Sequence, residues 1–217
     1  MPHRRELSEM TDNRRQHWEK VWTGNGEKDK SWYQEIPRMS IDMIERSGVS
    51  PADPLIDVGG GASRLVDHLL DRGYRDLTVL DLSAAALEHA RHRLGKRAGD
   101  VTWAVADVTA FRPDCRYALW HDRAAFHFLL SEEDRKAYVA TMSRSLAAGG
   151  QAIIGTFAPD GPARCSGLSI VRYDASGLMA ELGPGWELAE EAREVHQTPA
   201  GAEQRFGFYR VRRIANT

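Results

Sequence analysis

The chain has 217 residues, of which 42% are hydrophobic and 28% are charged, and its net charge is −2. This composition excludes a disordered chain, and the length predicts one globular domain whose core needs no disulfide. The near-neutral charge argues against nucleic acid as a partner, and the longest uncharged stretch (146–159) is too short for a membrane span. Two distant cysteines fit a reducing compartment, so we expect a cytoplasmic protein.

The segment before residue 51 is expected to be mainly helical. Residues 8–50 have a helical pattern that is interrupted at Gly24-Asn25-Gly26, and the short basic group Arg14-Arg15 is expected to be solvated. Four aromatic residues flank the break: Trp18, Trp22, Trp32 and Tyr33. We predict that residues 1–50 form an N-terminal helical lid and that residues 51–217 form one globular domain.

From residue 51 onward, short apolar runs alternate with segments of helical period. One helix is predicted after Gly61, a second is capped by Ser83, and a third begins after Ser131, carries Leu146 on its buried face and ends at Gly149-Gly150. The predicted strands lie at 55–58, 77–81, 101–105, 118–120 and 152–157. This order predicts a parallel sheet with helices on both faces, a three-layer α/β sandwich.

The last part of the chain has a different pattern. Residues 186–195 and 204–211 are two strand-like runs joined only by a short link at 198–201. A link this short cannot make a parallel crossover, so the two runs are predicted to form an antiparallel hairpin at a sheet edge.

A glycine loop follows the first predicted strand directly. It reads Asp57-Val58-Gly59-Gly60-Gly61-Ala62-Ser63 and lies where open α/β sheets bind ligands. A dinucleotide-binding reading places Arg64 at the third glycine position, where its bulk opposes close packing, and Asp57 would repel a pyrophosphate. A cationic ligand such as S-adenosylmethionine fits the acid better.

Two further acids follow the next two strands. Asp81 ends the second predicted strand and Asp107 follows the third. Each acid alone is equally well read as a solvated loop residue. Because the ends of parallel strands meet at one edge of a sheet, however, the three acids together indicate one cleft for one nucleoside ligand.

These residues resemble the motifs of class I S-adenosylmethionine-dependent methyltransferases over essentially the full chain. The matching pieces are the D-x-G-x-G loop, the acid at Asp81, the segment 106–108 and the terminal hairpin. The resemblance implies a Rossmann-like, mostly parallel seven-stranded sheet that ends in an antiparallel hairpin. It also implies S-adenosylmethionine as the cofactor and S-adenosylhomocysteine as the product. Ser63 stands where the fullest form of the motif has a third glycine.

The resemblance also implies roles for single residues at the cofactor. Asp57 would help to hold the amino group, Asp81 the ribose hydroxyls, and Leu82 and Asp107 the adenine. The full set of expected cofactor-binding residues is Trp32, Asp57, Gly59, Gly60, Gly61, Ser63, Asp81, Leu82, Ala106, Asp107, Val108 and His121.

The acceptor side is expected after the fourth strand, at residues 120–128. This segment resembles the thiopurine methyltransferase and tellurite-resistance branch, and no metal site is expected. The candidate catalytic residues are His121, Asp122 and His127, because histidine titrates near the working pH. The alternative is that these residues and Arg123 are structural.

Three residues are candidates for binding the acceptor. Arg123 has a planar fork that suits a carboxylate, and Cys165 would suit a soft, thiophilic acceptor, unless it is only a loop cysteine without chemistry. Tyr33 is expected beside the acceptor, and Trp32 beside the sulfonium, where an aromatic face is favourable. The alternative for these aromatics is packing between the N-terminal helices.

The sequence therefore predicts a methyltransferase that acts on a small-molecule acceptor, as a monomer or a homodimer, without nucleic acid or membrane partners. Two alternatives stay open: a protein lysine methyltransferase and a catalytically silent cofactor-binding module. A nicotinamide oxidoreductase is disfavoured by Asp57 and Arg64.

Overall fold

The computed structural model describes residues 13–23 and 26–214. The break predicted at Gly24-Asn25 lies outside these residues. Residues 13–22 form helix α1. The elements that follow are α2 (Arg38–Arg46), β1 (Leu55–Val58), α3 (Leu65–Asp71), β2 (Leu77–Asp81), α4 (Ala84–Leu94), β3 (Val101–Val105), β4 (Tyr117–Arg123), α5 (Glu132–Ser145), β5 (Leu146–Phe157), β6 (Arg164–Cys165), β7 (Leu168–Ser169), α6 (Ala175–Leu182), β8 (Trp186–Gln197) and β9 (Glu203–Arg213).

Seven of the strands form one sheet in the order β3-β2-β1-β4-β5-β9-β8. The first five strands are parallel, β9 is antiparallel to β5, and β8 pairs antiparallel with β9 at the edge. This confirms the predicted seven-stranded sheet and its terminal hairpin. The small separate ladder of β6 and β7 was not predicted.

The helices cover both faces of the sheet, as the sequence predicts. Side chains along β1 alternate between two apolar clusters, because successive residues of a strand face opposite sides. Leu55 packs with residues of α2, α3 and α4, whereas Ile56 packs with residues of α5 and α6. The three layers place the carboxyl ends of β1, β2 and β4 side by side at one edge.

The ends of two predicted helices can be compared with the structure. The hydroxyls of Ser83 and Ser131 cap α4 and α5 as predicted. The prediction that the third helix continues past Leu146 to Gly149-Gly150 was wrong. Leu146 already has extended backbone angles and pairs with Tyr117 of β4, so the strand begins at the residue where the helix ends.

Only part of the predicted helical segment 8–50 is helical. Residues 30–37 contain no helix, and α2 starts directly after Pro37, which disfavours helical angles in the residue before it. The domain boundary at residue 50 stays a prediction.

None of the helices within 13–23 and 26–214 has the length and apolar character that a membrane crossing requires. The compartment and the oligomeric state of the protein stay predictions.

Candidate functional site

A cavity opens at the carboxyl ends of β1, β2 and β4, where the sequence predicts the site. Most of the predicted residues line it, namely Trp32, Tyr33, Asp57, Gly59, Gly60, Ser63, Asp81, Leu82, Ala106, Asp107, Val108, His121, Arg123 and Cys165. Gly61, Asp122 and His127 are not among the lining residues. The sequence motifs thus converge on one place in the fold.

Two glycines of the loop between β1 and α3 combine a positive φ with a close contact to another part of the chain. Gly59 has a φ of +67°, and a Cβ there would lie 2.8 Å from the Cβ of Ala125. Gly61 has a φ of +44°, and its Cβ would lie 2.9 Å from Oδ2 of Asp81. Although Gly61 does not line the cavity, it lets the loop pass close to the acid of the second strand.

Asp57 is held in place by His121. Oδ1 of Asp57 lies 2.7 Å from Nδ1 of His121, and both side chains are buried. Because a carboxylate only accepts, Nδ1 carries the proton, and Nε2 lies 2.9 Å from the hydroxyl of Ser40 on α2. Both ring nitrogens therefore have hydrogen-bond partners, and His121 is placed to hold the carboxylate of Asp57 in one orientation.

Asp81 lies beside Asp57 at the end of β2. Its Oδ1 accepts a hydrogen bond from the backbone N–H of Ser83 at 2.8 Å. Burial, with a smaller contribution from the negative charge of Asp57, raises the pKa of Asp81 from 3.8 to about 7. This carboxyl group therefore titrates near neutral pH.

Asp107 is tied to the N-terminal helix. Its Oδ1 accepts from the backbone and the hydroxyl of Thr109, and its Oδ2 accepts from Arg14 at 3.1 Å. The second Nη of Arg14 donates to Asp134 at 3.1 Å. The expectation that Arg14 is solvated was therefore wrong, because two acids from different parts of the domain hold it over the cavity.

Helix α1 is fixed over the cavity at a second point. Glu19 accepts hydrogen bonds from the backbone N–H groups of Ala84 and Ala85, at 2.7 and 3.2 Å, and so caps the start of α4. Trp18 packs edge-on against Trp32 and Phe128, with ring centroids 5.9 and 5.0 Å apart. These aromatic side chains therefore form one wall of the cavity.

Two of the candidate acceptor residues, Arg123 and Cys165, also line the cavity. Arg123 donates to the backbone carbonyl of Trp32 at 3.0 Å, and its guanidinium lies 4.6 Å from the ring centre of Phe206. Cys165 is buried, and burial raises the pKa of its thiol to about 11. Cys165 is therefore a neutral thiol at the cavity wall, not a thiolate.

Asp122 and His127 lie in the core beneath the site. Asp122 accepts hydrogen bonds from the backbone of Ala125 at 2.8 Å and from the hydroxyl of Tyr138 at 2.7 Å, and burial raises its pKa to about 6. His127 is fully buried, and burial together with the charge of Arg123 lowers its pKa to about 3. The structure does not bring these two predicted catalytic residues to the cavity.

Several residues at the site were missed by the sequence reasoning. Arg14, Glu19 and Ser40 lie on helices whose pattern shows only which face is buried. Arg64 was considered for its bulk alone, yet it pairs with Glu27 at 2.8 Å beside the glycine loop. Their partners lie far away along the chain, so no local signal marks these residues.

Comparison with known proteins decides the family of this fold. Residues 55–150, which carry the glycine loop and the three acids, match the family model of a methyltransferase domain. Over these residues the chain carries a methyltransferase domain. The predicted family is confirmed there, whereas the activity of the whole protein and the thiopurine and tellurite-resistance branch stay predictions.

A curated relative of this chain is known in Danio rerio. That protein, an "eEF1A lysine and N-terminal methyltransferase", is 29% identical over 148 residues, which are 66% of this chain and 21% of the relative. A human protein of the same description is 24% identical over 142 residues, 62% of this chain and 20% of the relative. The chain spans about a fifth of the length of the curated relatives it matches.

Solved structures share the fold over much more of their length. The 1,6-didemethyltoxoflavin-N1-methyltransferase of Burkholderia thailandensis, with S-adenosylhomocysteine bound, has a TM-score of 0.69 at 18% identity and covers 99% of this chain and 91% of its own. The glycopeptide N-methyltransferase MtfA, complexed with S-adenosylmethionine, has a TM-score of 0.63 at 18% identity and covers 84% and 96%. Together with the family match, they support S-adenosylmethionine as the cofactor and S-adenosylhomocysteine as the product.

Proposed function

We propose that the protein transfers the methyl group of S-adenosylmethionine to a small-molecule acceptor and releases S-adenosylhomocysteine. One observation carries the proposal. A single cavity joins the glycine loop and its acids to an aromatic wall, and α1 with residues 31–34 lies over it. Donor and acceptor would meet inside this one cavity.

The residues around the glycine loop fit the cofactor. S-adenosylmethionine supplies a methyl group on a sulfonium, so that its departure leaves a neutral thioether. Asp57 would accept from the ammonium, Asp81 would accept from the ribose hydroxyls, and the loop at Gly59 brings the backbone close to the ligand. Two acids in the cavity suit a ligand that carries positive charge and repel a pyrophosphate.

We propose that the protein accelerates the reaction mainly by aligning the acceptor with the methyl group of the cofactor. A displacement at an activated methyl group needs the nucleophile held in line with the leaving group, which positioning alone accelerates strongly. Both ring nitrogens of His121 are engaged, and Asp122 and His127 lie outside the cavity. We therefore assign His121 the role of a positioning residue for Asp57, and Asp122 that of shaping the turn at Ala125.

Two observations support a small-molecule acceptor. The aromatic wall consists of Trp18 of α1, Trp32 of residues 31–34 and Phe128, and these three half-buried side chains line the cavity and do not form an exposed apolar surface for a folded protein. The neighbour named for a toxoflavin precursor also corresponds to this chain over almost its whole length.

A protein lysine methyltransferase is the second candidate. It is favoured by the relatives described as eEF1A lysine and N-terminal methyltransferases. The matched portions are about a fifth of those relatives, so the substrates of the whole proteins are a guide only to that portion.

The two candidates are separated by following a labelled methyl group. The protein is incubated with S-adenosylmethionine labelled on its methyl group and with a cell extract, and the label is then measured in protein, small-molecule and volatile fractions. Label in the small-molecule or volatile fraction supports the proposal, whereas label in protein favours the second candidate. Cofactor binding without any transfer would identify a silent binding module. The variant Asp81→Ala, expected to bind the cofactor poorly, serves as the control for contaminating activity.

A further inference from the structure

Arg123 is held rigidly at the acceptor end of the cavity. Its side chain is only 12% exposed, its guanidinium packs against the ring of Phe206, and Nη1 donates to the carbonyl of Trp32. These contacts fix both the plane and the rotation of the fork. A planar cation fixed in this way is pre-organised for a ligand.

The opposite edge of the same guanidinium has no such contact. Nε and Nη2, which lie side by side on that edge, are shielded from solvent and have no hydrogen-bond acceptor among the residues that the structure describes. The nearest acid oxygen is Oε2 of Glu194, 3.8 Å from Nη2 and itself without a hydrogen bond in the same part of the chain. A buried charged group is unfavourable when its N–H donors lack acceptors, so this edge of Arg123 favours binding of a ligand that supplies them.

Arg123 lies next to the segment 31–34 at the cavity. Arg123 lines the cavity, and the backbone carbonyl that its Nη1 holds belongs to residues 31–34. The same segment is held by Gln34, which donates to Oε1 of Glu194 at 2.9 Å, and by the carbonyl of Ser31, 2.8 Å from Nε2 of His196. The segment that holds Nη1 thus also holds Glu194, the acid beside Nη2.

We propose that Arg123 binds a carboxylate group of the acceptor through Nε and Nη2, which makes the acceptor a small carboxylic acid with an aromatic or apolar body. Two parallel N–H donors on a planar group match the two oxygens of a carboxylate. The aromatic wall suits the remainder of such a molecule. This inference rests on the proposed function, because it specifies the class of the acceptor.

Glu194 provides the sharpest test of this assignment. If an acceptor carboxylate approaches Arg123, the charge of Glu194 opposes it, so Glu194→Gln is expected to strengthen binding of an acid. If Arg123 and Glu194 only form a structural ion pair, removal of either charge destabilises the fold and changes no ligand preference.

The experiment uses the protein loaded with S-adenosylhomocysteine and three aromatic acids of increasing length. Benzoate, phenylacetate and 3-phenylpropionate are titrated by calorimetry, each beside its primary amide, which keeps the shape and removes the charge. At least one acid is expected to bind about ten-fold or more tightly than its amide, since charged bidentate hydrogen bonds are the strong ones. Arg123→Gln should abolish this preference, Arg123→Lys should keep a part of it, and Glu194→Gln should increase it.

Three results would overturn the inference: no acid binds, each acid binds no better than its amide, or the preference survives in Arg123→Gln. Thermal unfolding of each variant shows whether it is folded, and Glu194→Gln remains informative if Arg123→Gln is not. Failure of the proposed function is recognised separately, because the wild-type protein would then not bind S-adenosylhomocysteine in the first step or would deliver the labelled methyl group to protein.

Discussion

Asp81 shows how one half-buried side chain can make cofactor binding depend on pH. Its pKa is raised from 3.8 to about 7, so below that pH the carboxyl carries a proton and accepts less well from two hydroxyls. We expect the affinity for S-adenosylhomocysteine to rise as the pH increases from 6 to 8, approaching about ten-fold per unit below the pKa. Calorimetric titration at several pH values measures this, and Asp81→Asn should flatten the profile.

The same shift has a consequence for stability without ligand. A carboxyl whose folded pKa lies above its unfolded value stabilises the fold at low pH and loses that contribution as the pH rises from about 4 to about 7. Asp81→Asn removes this loss, so the unliganded variant should melt at a higher temperature than the wild type at pH 8. Equal melting temperatures at pH 8 would contradict the assigned burial of the Asp81 charge.

Residues differ in how far the sequence reveals them. Asp57, Asp81 and Asp107 were predicted because they follow predicted strands, and the carboxyl ends of parallel strands lie together. His121 was predicted at the site, but its partners Asp57 and Ser40 belong to different elements, so its bonding could not be read from spacing. His127 and Asp122 were misplaced relative to the cavity because residues next to a site in sequence can face the core.

At the scale of elements, the turn from β1 into α3 depends on a close contact with the segment after β4. Gly59→Ala introduces a Cβ at 2.8 Å from Ala125 as well as a left-handed backbone angle. Gly73→Ala is the matched control, because Gly73 has a φ of +87° but nothing within 4 Å of the added atom. Both variants should lose about 1–2 kcal/mol of stability from the backbone angle.

Only Gly59→Ala should also weaken cofactor binding, because only there must the loop or Ala125 move. Urea unfolding gives the stability of both variants, and calorimetry with S-adenosylhomocysteine gives the affinity. If the two variants bound equally well, the contact between the glycine loop and Ala125 would have no part in shaping the cofactor site.

The order of elements was predictable from the sequence, whereas some of their ends were not. Apolar runs and serine caps predicted five strands, three helices and the terminal hairpin, because these signals are local. Tertiary pairing sets one of these ends, because β5 starts at Leu146, where it pairs with Tyr117. Residues 30–37 consist of turns and bends instead of the predicted helix. The short ladder of β6 and β7 has too few residues to leave a pattern.

At the scale of the whole molecule, the N-terminal segments connect distant parts of the domain. Arg14 reaches Asp107 after β3 and Asp134 in α5, Glu19 caps α4, and residues 31–34 are held by side chains of β4 and β8. Apolar packing adds to these polar contacts, because Trp18 packs against Phe128 and buried Trp22 packs with Ala62 and Ala86. Since α1 and residues 31–34 belong to no strand ladder, this cover is expected to open more easily than the sheet.

Helix α1 and residues 31–34 lie over the cavity, so a bound cofactor is expected to hold this cover closed. We expect S-adenosylhomocysteine to slow backbone hydrogen exchange in residues 13–34 by about ten-fold or more relative to the paired strands β8 and β9, which are stable without ligand. Glu19→Gln should reduce this protection, because a neutral amide caps α4 less well, whereas Lys20→Ala, at an exposed position of α1, should leave it unchanged. Hydrogen exchange measured by mass spectrometry, with and without S-adenosylhomocysteine, tests this prediction. Equal protection in the two regions would mean that α1 and residues 31–34 form a fixed wall and that the ligand enters by another route.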